Sequence, residues 1–142
     1  MRIAIINGPN LNLLGKREPE LYGQESFESF LEDLQKDHPQ VDLAYFQSNV
    51  EGELIDAIQR EGFSADGIIL NPGGYTHTSV AIGDAIAAVT APVIEVHITN
   101  IFSREDFRKL SFVSGKAKGV ISGLGLKSYA LALQWFCEHS GK

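Results

Sequence analysis

A chain of 142 residues, 44% hydrophobic and 21% charged, has ordinary globular composition, which argues against a disordered or fibrous protein. Its net charge of -6 and pI near 5.1 leave no basic footprint for nucleic acid or an anionic membrane, so neither partner is expected and an anionic ligand must be held by local donors. Cys137 is the only cysteine, which excludes an intramolecular disulfide and suits a reducing, cytoplasmic setting. The apolar run before Asn7 is too short for a signal-peptide core, and none approaches a membrane span. One domain over residues 1–142 is the expectation, since a chain this long buries on the order of 70% of its unfolded surface.

The elements follow in chain order. Arg2 to Ile6 reads as a short buried strand. Asn7 to Gly23, NGPNLNLLGKREPELYG, is interrupted by Pro, Gly and Asn and reads as a long loop; loops of more than about 12–15 residues are usually functional lids or binding loops. Ser26 is a helix N-cap, with Phe27, Phe30, Leu31 and Leu34 on one helical face as far as His38-Pro39. Val41 to Gln47 alternates as a second strand, and Ser48-Asn49-Val50-Glu51 has capping-box spacing for a helix ending at Gly62. Gly67 to Leu70 is an apolar strand running into a tight turn at Asn71-Pro72-Gly73-Gly74, followed by a helix from about Thr78 to Val89. Val93 to Ile98 is a fourth strand, Phe107 and Leu110 mark a short helical turn, Gly119 to Ser122 is a fifth strand, and Gly123-Leu124-Gly125 opens a last helix. Five strands alternating with helices predict an α/β fold with an open parallel sheet, whose ligands bind beyond the carboxyl ends of the strands.

Three polar clusters fall at those ends. The first carries Arg17 and Tyr22; a guanidinium within a few Å favours a phenolate over a phenol, so the pair reads either as a general base or as a packed Tyr beside a solvated Arg. The second brackets the turn after the third strand with Asn71 and His77, where glycines let a ligand approach the backbone. The third is Glu95-Val96-His97-Ile98-Thr99: strand alternation puts Glu95 and His97 on one face, so the carboxylate can orient an imidazole that moves a proton. Asp84, in the helix after the second cluster, reads as a solvated residue or one that meets a neighbouring subunit. The four histidines show no metal-ligand spacing and the chain has no GxxxxGK[ST] loop, so neither a metal nor a nucleotide cofactor is expected. No lysine lies within an apolar strand, which argues against Schiff-base chemistry. A receiver domain needs acidic residues where this chain has Asn7 and Asn71, and a flavin carrier needs a Ser/Thr-rich loop where it has NGPNLNLL.

NGPNLNLLGKREPELYG, NPGGYTHTSVAIGDAI and EVHITN followed by Arg104 and Arg108 together resemble the type II 3-dehydroquinate dehydratases over essentially the whole chain. The resemblance implies a flavodoxin-like three-layer sandwich with a five-stranded parallel sheet and a lid at about residues 12–23. It implies a lyase that reversibly dehydrates 3-dehydroquinate to 3-dehydroshikimate without a cofactor, in a homododecamer built of trimers. Carried over by motif, Tyr22 is the general base, Arg17 the lid residue that keeps it ionised, and Asn12 the holder of a water against the enolate. His97 is the acid, oriented by Glu95; Asn71 with the backbone of Ile98 and Thr99 holds the substrate carboxylate, His77 and Arg108 read the ring hydroxyls, and Asp84 reaches the site near a neighbouring subunit. Thr99 stands where Ser is usual, Phe102 where a His or polar residue is frequent, and Gly83 where Arg or a longer residue is common.

Overall fold

The computed structural model describes residues 1–139, so the last three positions of the expected domain lie outside the described residues. Its sheet has five parallel strands: β1 (Arg2–Asn7), β2 (Asp42–Gln47), β3 (Gly67–Asn71), β4 (Val93–His97) and β5 (Gly119–Ser122), in the order β2-β1-β3-β4-β5. That is the flavodoxin-like order, with the reversal between β1 and β3. Strand alternation divides the core into two. Ile3, Ile5, Ile69, Ile94 and Val96 point to one face, covered by α2 (Phe27–Asp37) and α5 (Lys127–His139). Ala4, Ile6, Ile68, Leu70 and Val93 point to the other, covered by α3 (Glu51–Glu61) and α4 (Val80–Ala88). Helices thus flank both faces, as the near-continuous apolar runs of β1, β3 and β4 require.

The N-cap expected at α2 forms and the capping box expected at α3 does not, while α4 gains a cap that its sequence had not suggested. Ser26 accepts from Ser29 N at 3.2 Å to start α2, and Ser79 accepts from Ile82 N at 2.9 Å to start α4. At α3 the capping box does not form: the helix begins at Glu51 behind Val50, while the Ser48 hydroxyl accepts from Val50 N at 2.9 Å and bonds the Glu53 carboxylate. Ser48 therefore closes the strand-to-helix turn two residues too early to cap the helix.

Two further segments differ from expectation. The stretch read as an uninterrupted loop contains a 3-10 turn, Leu11–Leu13, and one turn of helix, α1 (Pro19–Tyr22), with Pro19 at its start. The turn after β3 continues as a 3-10 helix over Gly73–His77, so α4 starts at Val80. Both devices sit at the carboxyl edge of the sheet. There the loops after β1 and β3 touch: Gly8 N donates to Asn71 O at 2.7 Å, and a Cβ on Gly8 would come within 2.6 Å of Pro72 O, so only glycine allows this approach.

Gly83 also owes its identity to a close approach. It is buried in α4 with the carbonyl oxygen of Phe112 against it, where a Cβ would lie only 2.3 Å away. The segment carrying Phe112 is tied to the sheet edge as well, through Phe112 N donating to Thr76 O at 2.8 Å.

Candidate active site

Asn7, Asn71 and His97 are the last residues of β1, β3 and β4, and a cleft of about 120 Å³ opens beyond them. Arg17 and Tyr22 line it from the loop after β1, Asn71 and His77 from the end of β3, and His97, Ile98, Thr99 and Arg108 from the end of β4 and beyond. The three sequence clusters thus converge on one cleft.

Glu95 is fully buried and its carboxylate is saturated with donors. His97 Nε2 lies 2.6 Å from Oε1, Thr76 Oγ1 donates to the same oxygen at 2.5 Å, and Ser114 Oγ donates to Oε2 at 2.5 Å. Burial alone would raise the Glu95 carboxyl, but the hydrogen bond and charge of His97, with the Ser114 and Thr76 hydroxyls, outweigh it and hold the group below the usual carboxylate value. Glu95 is therefore an anion at neutral pH. Its claim on Nε2 fixes the His97 ring and leaves Nδ1 as the nitrogen available to the cleft, where it can carry and deliver a proton.

Tyr22 is flanked by two cations. The Arg17 guanidinium lies over its ring at 4.8 Å from the centroid, with Glu18 as ion-pair partner at 3.6 Å. The group that donates to the phenol oxygen is Arg104, whose Nη1 reaches it at 3.2 Å and also reaches Thr99 Oγ1 at 3.3 Å. Guanidinium donation stabilises negative charge on an oxygen. Arg104 stands 82 residues from Tyr22, and the sequence reading gave it no role. Its recurrence with Arg108 four residues on was the available signal; only the fold shows which of the two meets the phenol.

Asn71 accepts from Gly73 N at 3.1 Å through Oδ1 and donates to the buried Tyr129 hydroxyl at 2.8 Å through Nδ2. Tyr129 in turn donates to Asn7 Oδ1 at 2.8 Å. One Asn71 amide proton remains for a ligand after this accounting. His77 bonds Leu110 O through Nδ1 at 2.6 Å; a carbonyl only accepts, so Nδ1 carries the proton and the neutral ring offers Nε2 as an acceptor. Burial first, then the charges of Arg108 and His97, lower the His77 pKa and keep it neutral, against the opposing pull of Leu110 O and Glu95. Arg108 is half-buried over the Phe107 ring, 4.9 Å from its centroid, and bonds Glu105.

Besides Glu95, which is buried behind His97, two expected residues are not in the cleft. Asn12 is exposed, because Leu11 and Leu14, one 3-10 turn apart, are the buried members of the segment and turn Asn12 to solvent. Asn10 lines the cleft instead, in a left-handed conformation with φ of 68° and its N–H on Asn49 Oδ1 at 3.0 Å. Asp84 is exposed on α4 and outside the cleft of its own chain. Among the described residues no group of three or more His, Cys, Asp or Glu is placed to hold a metal ion.

An anion-held imidazole and an arginine-flanked phenol share one cleft at the reversal point of a doubly wound sheet, the place where α/β proteins of this class bind their ligands. Comparison with known proteins makes the family specific. The model for dehydroquinase class II matches residues 1–137, and the chain belongs to that family. It is 53% identical over 136 residues to a 3-dehydroquinate dehydratase of Prochlorococcus marinus (strain MIT 9301), covering 94% of this chain and 92% of that one. A 3-dehydroquinate dehydratase of Exiguobacterium sp. (strain ATCC BAA-1283 / AT1b) is 52% identical over 140 residues, covering 98% and 96%. The crystal structure of type II dehydroquinase from Butyrivibrio crossotus DSM 2876 superposes with a TM-score of 0.92 at 44% identity, covering 96% of this chain and 97% of that one.

Proposed function

We propose that this chain is a lyase that reversibly dehydrates 3-dehydroquinate to 3-dehydroshikimate through an enolate, in aromatic amino acid biosynthesis or quinate breakdown, as one catalytic domain with a lid. The observation that carries the reading is the pairing, in one cleft, of Tyr22 under Arg104 and Arg17 with His97 on buried Glu95. Elimination of water from a β-hydroxy ketone needs a base at the α-carbon, a donor for the enolate oxygen and an acid at the leaving hydroxyl. Tyr22 takes the α-proton as phenolate. His97 gives a proton from Nδ1 to the departing hydroxyl while Glu95 keeps Nε2–H, so no ring rotation is needed. Asn71 and the backbone of Ile98 and Thr99 receive the substrate carboxylate, and His77 and Arg108 receive ring hydroxyls. The water against the enolate oxygen falls to Asn10, which lines the cleft, in place of solvent-facing Asn12.

No cofactor enters this chemistry. The assembly we propose is a homododecamer of trimers, in which Asp84 of one subunit reaches the site of another; exposed Val80, Phe107, Leu110 and Phe112 supply apolar surface for such contacts. A cytoplasmic setting agrees with the lone cysteine, and no described helix is long and apolar enough to cross a membrane. The test is turnover of 3-dehydroquinate, followed by ultraviolet absorbance of the conjugated product before and after borohydride treatment. Turnover that survives borohydride supports acid–base elimination. Its loss on borohydride treatment contradicts the mechanism, and no turnover from a folded oligomer contradicts the function.

A further inference from the structure

Behind the cleft, a relay of hydroxyls ends on Glu95. Val113 N and Ser114 N donate to Ser111 Oγ at 3.0 and 2.9 Å, and Ser111 Oγ lies 2.6 Å from Thr76 Oγ1. Thr76 has one hydroxyl proton, and it is on Glu95 at 2.5 Å; Ser111 must therefore donate to Thr76. Every proton in the chain is thereby directed toward the carboxylate, and Ser114 adds a second hydroxyl on the other oxygen. None of these three residues lines the cleft, and Thr76 is fully buried.

We propose that Thr76 and Ser114, with Ser111 setting the direction of the Thr76 hydroxyl, are positioning residues for the acid step: they hold Glu95 so that its oxygen fixes His97 Nε2 and leaves Nδ1 for the substrate. Hydrogen bonds to a charged group are the strong ones, and a buried carboxylate that loses one is left with a desolvated oxygen it relieves by taking a proton or by turning. Either response removes the anion from His97. The same segment also holds His77 through Leu110 O and is seated on α4 by the Phe112 carbonyl against Gly83, and the Ser111 hydroxyl closes its turn on Val113 N and Ser114 N, so its backbone is fixed without the hydroxyls of Thr76 and Ser114. Those two hydroxyls are thus free to serve Glu95.

The inference rests on the acid role proposed for His97, and the test separates the two. Wild type, Thr76→Val, Thr76→Ser and Ser114→Ala are assayed with 3-dehydroquinate for kcat and KM, with thermal melts alongside. Thr76→Val and Ser114→Ala are each expected to lower kcat by about 10- to 100-fold with KM unchanged, and Thr76→Ser to restore kcat. Should Thr76→Val misfold, Ser114→Ala carries the same prediction from the opposite carboxylate oxygen. Unchanged kcat in Thr76→Val or Ser114→Ala, a change in KM alone, or an equal fall in Thr76→Ser would overturn the proposal. If wild type itself does not turn over, the functional reading fails and this one with it.

Discussion

Arg104 is the residue whose role emerged only from the structure, and its replacement gives the sharpest quantitative expectation. Arg104→Met removes a charge-assisted donor at 3.2 Å from the Tyr22 oxygen while keeping most of the stem's apolar bulk. A hydrogen bond to a charged partner contributes about 1.5–3 kcal/mol. Two unit charges about 4 Å apart at an effective dielectric of about 20 interact by about 4 kcal/mol, which bounds the effect from above. Arg17 remains over the ring at 4.8 Å, so the base keeps one of its two cations. The loss is therefore between about 10- and 1,000-fold in kcat, taking 1.4 kcal/mol per decade. The assay is turnover of 3-dehydroquinate at pH 7, where Arg104→Lys, which keeps a cationic donor, should recover part of the loss. A variant within twofold of wild type at pH 7 would refute the claim that Arg104 sustains the base.

Three further outcomes concern the folded state. Glu95 is held below the usual carboxylate value, so its contribution is present above the unfolded-state value near about 4.3 and is lost as pH falls through the lower folded one; the Tm advantage of wild type over Glu95→Gln should narrow at acid pH, and a gap that stays constant would contradict this. Burial pushes the Tyr45 phenol up to about 12, and among the described residues its oxygen makes no hydrogen bond, the Asn7 amide nitrogen likewise standing unpaired. Stability tied to neutral Tyr45 is therefore lost as pH rises from about 10 toward 12, and Tyr45→Phe should melt no lower than wild type at pH 7 and resist alkali better; a marked drop in Tm at pH 7 would reveal a partner for that hydroxyl. Gly83→Ala gains about 1 kcal/mol of helix propensity but forces a Cβ onto the Phe112 carbonyl, an overpacking of about 1–3 kcal/mol, so a Tm lowered by a few degrees is expected and a raised one would show that the segment gives way freely.

What the sequence made legible follows from the range of the interactions involved. Ile3, Ile5 and Ile69 alternate with Ala4, Ile6 and Ile68 inside strands buried on both faces, so the strands and their parallel arrangement were readable from apolar runs alone. Glu95 and His97 were readable as a pair because strand alternation is local. Single turns such as Leu11–Leu13 and Pro19–Tyr22 are too short to show a period, and their placement decides which Asn of Pro9-Asn10-Leu11-Asn12 meets the cleft. Arg104 on Tyr22, Thr76 with Ser111, and Ser114 on Glu95 are contacts between distant parts of the chain, and no spacing rule announces them. Ser48 shows the converse: a spacing that matches a rule, diverted because Val50 N and Glu53 offered nearer partners.

The central claim is that Tyr22 removes the proton while the rest of the cleft binds and holds the substrate. Tyr22→Phe tests it most directly, because the ring stays under Arg17 and only the oxygen is lost. Calorimetric binding of 3-dehydroquinate and single-turnover kinetics should be measured on the same preparation. The account predicts binding within a few-fold of wild type and turnover reduced to near the limit of detection. Turnover retained in that variant would contradict it and move the base elsewhere in the cleft.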